Sequence, residues 1–312
     1  MTRVAVLIPT LRRPAQLEAA IRSVMAQTGP LGQPDEMVVS DNDPDGSARA
    51  TVEAIRCQAP FPIKYVHVPT PGISTARNAA LATTEAELIA FLDDDEIASP
   101  GWLSALRHSQ AQLGAEVVFG PIQGRAPGAD EADRAYLERF FGRAGPQTDT
   151  LIPAPFGCGN SLFVRARTLV GPTPFDLSAD QSGGEDDALF QVLRQQGVRW
   201  GWSAGAWVEE AAPPHRARLS YAMARAFAFG QGPAQTAARE GNWLGVGRWM
   251  VIGAGQFVVF GATAAVQWLI GGAHKADWTD RAVRGLGKMF WMKPFEPQFY
   301  GLAELKRTQR SG

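Results

Sequence analysis

The stretch Leu88–Glu96, LIAFLDDDE, decides how the rest of the chain is read. Five apolar residues of strand-like composition run directly into Asp93, Asp94, Asp95 and Glu96. Carboxylates this close repel one another, so enclosing them requires a compensating cation. A strand whose carboxyl end opens onto acids is where an open α/β sheet places its ligand. Hard oxygen ligands spaced as Asp93-x-Asp95 suit Mg²⁺ or Mn²⁺ with positions left for phosphate oxygens. A solvated acidic turn ahead of a helix at Pro100 is the plain alternative, and the flanking sequence decides between them.

Upstream, Val4–Pro9 is a short apolar run, as in a strand covered on both faces. Residues 16–27 have helical spacing, with Leu17, Ala20, Ile21 and Val24 on one side. Met37–Asp41 is a second strand that also ends in an aspartate, 48–57 a helix, Ile63–Val68 a third strand and 72–82 another helix. Strands alternating with helices at this spacing predict βαβ units and a parallel sheet. Downstream the expected elements are a strand at 116–123, a helix at 129–141, a Gly- and Pro-rich loop at 142–155 and a brief strand at 160–164. They continue with a helix at 185–196 after Gly183 and Gly184, a strand at 198–204 and a basic helix at 216–229.

With 30 Lys and Arg against 31 Asp and Glu, the net charge of -1 implies no polyanion-binding surface, so no nucleic acid is expected as a partner. Cys57 and Cys158 are far apart and lack metal-type spacing; reduced thiols in the cytosol are the default. The N-terminus MTRVAVLIPT runs straight into a strand pattern without the features of a signal peptide, so the catalytic part is expected in the cytoplasm. Met250–Ile270 differs in kind. It carries no charge over about 20 residues, enough for a helix to cross hydrocarbon. Trp243, Trp249 and Trp268 lie near its ends, as interfacial aromatics do, and basic residues flank both sides. Insertion, surface docking and packing as a core helix are the three readings.

The segments LIPTLRRPAQLEAAIRSVMAQT, VVSDNDPDGS, GISTARNAAL, FLDDDE, GCGNSLFVR and GGEDDALFQVLRQQG stand in the order found in family 2 glycosyltransferases, which the chain resembles over residues 3–230. The tail after Arg216 is similar to bacterial exopolysaccharide glycosyltransferases of the succinoglycan type. The resemblance implies a GT-A fold, an α/β class with a Rossmann-like, mostly parallel central sheet flanked by helices. It implies a catalytic domain over 1–230, with a nucleotide-sugar half at 1–96 and an acceptor half at 97–230. A helical membrane-associating region at 231–312 would follow, at the cytoplasmic face of the inner membrane.

The implied activity is inverting, metal-dependent transfer of a sugar from a nucleotide-sugar donor, with UDP favoured by Asp41, to a lipid-linked or polysaccharide acceptor. By resemblance Pro9, Thr10, Asp41, Arg77, Asp93 and Asp94 contact the donor, and Gly159 and Asn160 line the acceptor side. Asp95, with Asp93 and His215, would hold Mg²⁺ or Mn²⁺. Asp186 would be the general base that takes the acceptor hydroxyl proton, and Glu185 would orient the acceptor. Each has a plainer reading. Asp41 can cap the helix after Gly46, Arg77 can pair with the aspartates, the acids of Glu185–Asp187 can cap a helix, and His215 can be a loop residue. Cys158 lacks the setting of a nucleophile. A nucleotidyltransferase is excluded because PTLRRP replaces the Gly-rich loop that follows its first strand. A haloacid-dehalogenase phosphatase is excluded because the acidic cluster ends the fourth strand, not the first. An inactive membrane-bound, nucleotide-sugar-binding scaffold is the non-enzymatic alternative.

Overall fold

A computed structural model of the chain describes residues 2–181 and 183–299, so the last part of the expected 231–312 region lies outside the described residues. The contacts divide the chain into two compact units. Among the described residues, the first comprises those within 1–124 and 142–211 together with 298–299; the second comprises 125–141 and 212–297. A boundary at 230 would instead cut a helix, Leu219–Arg239.

The first unit begins as the alternating pattern predicts: β1 (Val4–Thr10), α1 (Pro14–Met25), β2 (Glu36–Asp41), α2 (Arg49–Arg56), β3 (Ile63–His67), α3 (Ile73–Ala82) and β4 (Leu88–Phe91). These strands pair in parallel in the order β3-β2-β1-β4. Successive side chains of a strand point to opposite faces. In β1, Val4, Val6 and Ile8 therefore enter one core with Leu17 and Ile21 of α1. Ala5 and Leu7 enter the other, with Ala80 and Leu81 of α3. Both faces are covered, which explains why β1 is apolar from Val4 to Pro9.

Beyond β4 come β5 (Glu96–Ala98), α4 (Trp102–Leu113), β6 (Val117–Phe119) and β7 (Ile122–Arg125). The single strand expected at 116–123 is thus two strands in different sheets, broken at Gly120–Pro121. After α5 (Glu131–Phe141), the expected loop 142–155 contains β8 (Thr150–Ile152). Then follow β9 (Ser161–Val164), α6 (Arg165–Thr168), α7 (Glu185–Gln195), β10 (Trp200–Trp202) and β11 (Val208–Ala211). The large sheet reads β3-β2-β1-β4-β9-β6-β10-β8, and the small one β5-β11-β7.

One feature of this sheet positions the site. β9 runs antiparallel to both of its neighbours, with Ser161 opposite Phe91 of β4 and Phe119 of β6. The residues just before β9 therefore arrive at the edge where β4 releases its aspartates. A wholly parallel strand at this place would deliver that loop to the opposite edge.

The second unit consists of α5, α8 (Leu219–Arg239), α9 (Trp243–Leu269) and α10 (Lys275–Met289). The basic helix expected at 216–229 starts later and runs through Pro233 to Arg239. Its apolar cluster is built largely from alanines, with Tyr136 and Leu137 of α5. The Tyr136 hydroxyl donates to Asp280 of α10 at 3.0 Å. Glycines set close helix crossings: a Cβ at Gly253 would lie 2.5 Å from the Gly285 carbonyl oxygen. Of α9, only Val246, Gly253 and Ala264 are buried, so it is not a core helix.

Candidate active site

The carboxyl edge of the sheet gathers the acids. Thr10 ends β1 opposite Asp41 at the end of β2, and the Asp93–Glu96 turn follows β4 beside them. Within that turn the four acids have different tasks. The Thr10 hydroxyl donates to Asp94 at 2.7 Å, and Arg13 reaches both Asp94 at 2.9 Å and Asp95 at 2.8 Å. Burial, with the charge of Asp95 beside it, pushes the Asp94 carboxyl up to about 6 despite Arg13. Glu96 is buried and accepts from the Asp93 and Asn160 backbone N–H groups at 2.9 and 3.2 Å, holding the turn against the loop before β9. Burial and the charges of Asp93 and Glu210 raise its carboxyl well above the usual range. Asp93 is the most open of the four, its side chain 38% exposed.

The second acidic group arrives through α3. Ser74 donates to the Asp176 carbonyl at 2.7 Å, and Thr75 donates through its backbone N–H and hydroxyl to Asp180 at 2.9 and 2.6 Å. Asn78 exchanges two hydrogen bonds with the Phe175 backbone. This lacing fixes the segment that leads into α7, whose first turn holds Glu185 and Asp186. Arg77, one turn along α3, then pairs with Glu185 and lies 3.7 Å from Asp93. Burial opposes the Arg77 charge, and Glu185 with Asp93 outweigh it, so the guanidinium stays protonated. Burial raises the Glu185 carboxyl to about 7, and Arg77 opposes that rise while Asp186 adds to it.

The loop Gly157–Asn160 joins the two groups. The Cys158 N–H donates to Asp186 at 3.3 Å, and the Asn160 N–H donates to Glu96 at 3.2 Å. A Cβ at Gly159 would stand 2.6 Å from Asp93 Oδ2, and one at Gly157 would stand 3.2 Å from Asp186 Oδ2. Both glycines lie against the carboxylates they serve. Arg143 secures the loop from beneath: its guanidinium donates to the Gly159 carbonyl at 2.9 Å and the Gly157 carbonyl at 3.0 Å. Its own backbone pairs with Ile122 at the start of β7.

Several expected roles change on this geometry. Asp41 is fully buried, and its oxygens accept from the Ala48 N–H and the Tyr65 hydroxyl, both at 2.8 Å, and from the Asp43 N–H at 3.2 Å. It closes the turn before α2. Asn160 is also fully buried, its side chain spent on Pro121, Ala206 and Trp102, so it staples strands instead of meeting an acceptor. Glu185 is buried and pairs with Arg77. Arg77, enclosed by Phe91 and Phe175 as well as by its two acids, takes the charge-pairing role. Pro9 and Thr10 are buried at the strand end, and Thr10 orients Asp94. His215 belongs to the second unit. Cys158 is buried, and burial raises its thiol well above the usual range, consistent with no nucleophilic role.

Arg12, Arg13 and Arg143 were not singled out by the sequence. Arg12 pairs with Asp43 at 2.9 Å and Asp45 at 2.5 Å. The arginine pair directly after β1, at the ligand edge of the sheet, was a readable signal. Arg143 had none, because it sits in a Gly- and Pro-rich loop and all its partners come from elsewhere.

For a divalent cation the donor chemistry fits. Asp93, Asp94, Asp95 and Glu96 outnumber the guanidinium groups facing them, and Glu96 Oε1 is buried without a partner. Among the described residues no three His, Cys, Asp or Glu side chains already form a metal shell. The set therefore suits a cation held by one or two carboxylates and completed by substrate phosphates, the usual manner of Mg²⁺.

Known proteins resemble this chain in sequence and in fold. The succinoglycan biosynthesis protein ExoM of Rhizobium meliloti (strain 1021) is 36% identical over 285 residues, a match spanning 89% of each chain. Validoxylamine A glucosyltransferase of Streptomyces hygroscopicus subsp. jinggangensis (strain 5008) is 34% identical over 127 residues, 39% of this chain and 29% of that protein. The crystal structure of S. aureus TarS, residues 1–349, superposes with a TM-score of 0.50 at 15% identity, covering 92% of this chain and 90% of that one. At that identity the likeness concerns the fold alone. Residues 5–168 match the Glycosyl transferase family 2 profile. Together with the near full-length match to ExoM, this shows that the chain belongs to glycosyl transferase family 2.

Proposed function

We propose that this glycosyltransferase moves a sugar, with inversion, from a nucleotide-sugar donor to a lipid-linked or growing polysaccharide acceptor in exopolysaccharide assembly. The ExoM likeness supports the pathway class. One observation carries the chemistry: two acidic groups about ninety residues apart in sequence meet across the Gly157–Asn160 loop.

Asp93 and Asp95 would hold Mg²⁺ or Mn²⁺, which when bound offsets charge developing on the leaving diphosphate. Arg13 keeps Asp94 and Asp95 in place, and Arg77 spans from Asp93 to Glu185. Asp186 is half-buried, oriented by the Cys158 and Asp187 backbone N–H groups. Its carboxylate takes the proton of the attacking acceptor hydroxyl, on the side of the sugar away from the leaving group. The scaffold alternative draws no support, since both acidic groups are present and adjoin one loop.

Asp186→Asn should keep donor affinity within about twofold and lower transfer by a factor of ~10² or more. Asp95→Ala should weaken metal-dependent donor binding. Calorimetry with nucleoside diphosphates and Mn²⁺, paired with a transfer assay, reads both; undiminished turnover in Asp186→Asn would remove the base assignment.

A further inference from the structure

The outer face of α9 is a continuous apolar stripe. Leu244 is 91% exposed, Val251 74%, Val258 67%, Val266 54% and Leu269 86%, positions that recur at helical spacing. Trp243 and Trp268 mark its two ends, 67% and 49% exposed. Arg248 is the sole charge within the helix. At 27 residues α9 is about 40 Å long, enough to cross hydrocarbon about 30 Å thick, so length alone does not say how it meets a membrane.

Its inner face does. Trp268 donates to Thr279 of α10 at 3.2 Å, Phe260 packs on Trp278 at 5.7 Å, and Gly253 abuts Gly285. α10 therefore lies along the middle and C-terminal half of α9, the part that would occupy the hydrocarbon. In fifteen residues α10 carries Lys275, Asp277, Asp280, Arg281, Arg284 and Lys288. A crossing α9 would take those charges into the bilayer interior, which is costly. An α9 lying in the interface keeps them in water while its apolar face is buried.

Charge selects the occupant. Residues 212–297 hold ten Lys and Arg against four Asp and Glu, a formal +6 within a chain whose net charge is -1. Two such surfaces repel one another, whereas an anionic lipid surface attracts each. We propose that α9 docks flat on an anionic membrane surface, its Leu244–Leu269 stripe in the acyl boundary, and does not span the bilayer. This rests on the reading above only for the membrane as setting.

The test uses the full chain without nucleotide sugar, so its outcome stands apart from whether transfer occurs. Binding to phosphatidylcholine vesicles containing phosphatidylglycerol should exceed binding to pure phosphatidylcholine by about tenfold, and high salt should erase most of the difference. Val251→Asp with Val258→Asp should lower vesicle binding by at least about tenfold with helicity unchanged. Leu269→Asp supplies an independent variant should that pair misfold. For topology, Arg239→Cys and Ala273→Cys on a Cys57→Ser background are treated with an impermeant maleimide on sealed vesicles. Labelling of both sites is expected. Protection of one site until detergent opens the vesicles would overturn the in-plane arrangement. Absence of vesicle binding together with concentration-dependent dimers would assign the stripe to a second copy instead.

Discussion

Arg77 and Glu185 show how a single buried ion pair organises this site. Removing one member of such a pair strands the other without solvent, which costs about 3–5 kcal/mol. Arg77→Met should therefore shift the urea midpoint downward by that much stability, and Arg77→Met with Glu185→Leu should recover part of the loss. The pair also predicts a pH slope. With the Glu185 carboxyl near 4.5 when unfolded and about 7 when folded, the native state binds the extra proton between those values. Stability from this group is present below the lower value and lost as pH rises through the upper one. Glu185→Gln should flatten the dependence of unfolding free energy on pH across that window, as measured by urea titrations. The sequence showed the acids readily, because clusters such as Asp93–Glu96 are local. It did not show that Glu185 faces Arg77 or that Asn160 is spent inside the fold, because those partners come from distant parts of the chain.

Among the elements, the antiparallel β9 and the loop before it matter most. The βαβ rhythm through Phe91 is legible from periodicity, since the strands are short and largely apolar and β1, β2 and β3 are each followed by a helix. The rhythm fails at 116–123, where an apolar run looks like one strand and is cut by Gly120–Pro121 into members of two sheets. Gly159 carries a consequence of β9's direction. Its backbone needs no glycine φ, yet a methyl there would press on Asp93 at 2.6 Å. Gly159→Ala should cost only about 1–3 kcal/mol of stability while lowering metal-dependent donor binding by about tenfold or more, read by calorimetry. Arg143 acts on the same loop from beneath. Arg143→Met leaves the Gly157 and Gly159 carbonyls without their donor and should depress kcat more than it raises donor KM. Arg143→Lys should rescue little, because an ammonium cannot reproduce the planar fork that serves several carbonyls.

Across the whole molecule, charge and apolar surface are distributed unevenly. The balanced net charge of -1 conceals a basic helical region at 212–297. Ligands that bind only the native state raise its stability, by about 2.7 kcal/mol at a hundredfold excess over Kd. A nucleotide-sugar panel with Mn²⁺ should thus raise the melting temperature by several degrees for the true donor, and Asp95→Ala should abolish that rise. By itself the sequence determined the α/β class and the two acidic groups, because strand periodicity and clustered carboxylates are written in neighbouring residues, and the order of its motifs carried the resemblance to the family. Tertiary structure alone decided which acids stay open and which are consumed by arginines, and that Asp41 serves a turn. It also left α9 outside any core. Burial and pairing depend on residues far along the chain, and only their meeting in space settles whether a carboxylate faces a substrate or a guanidinium.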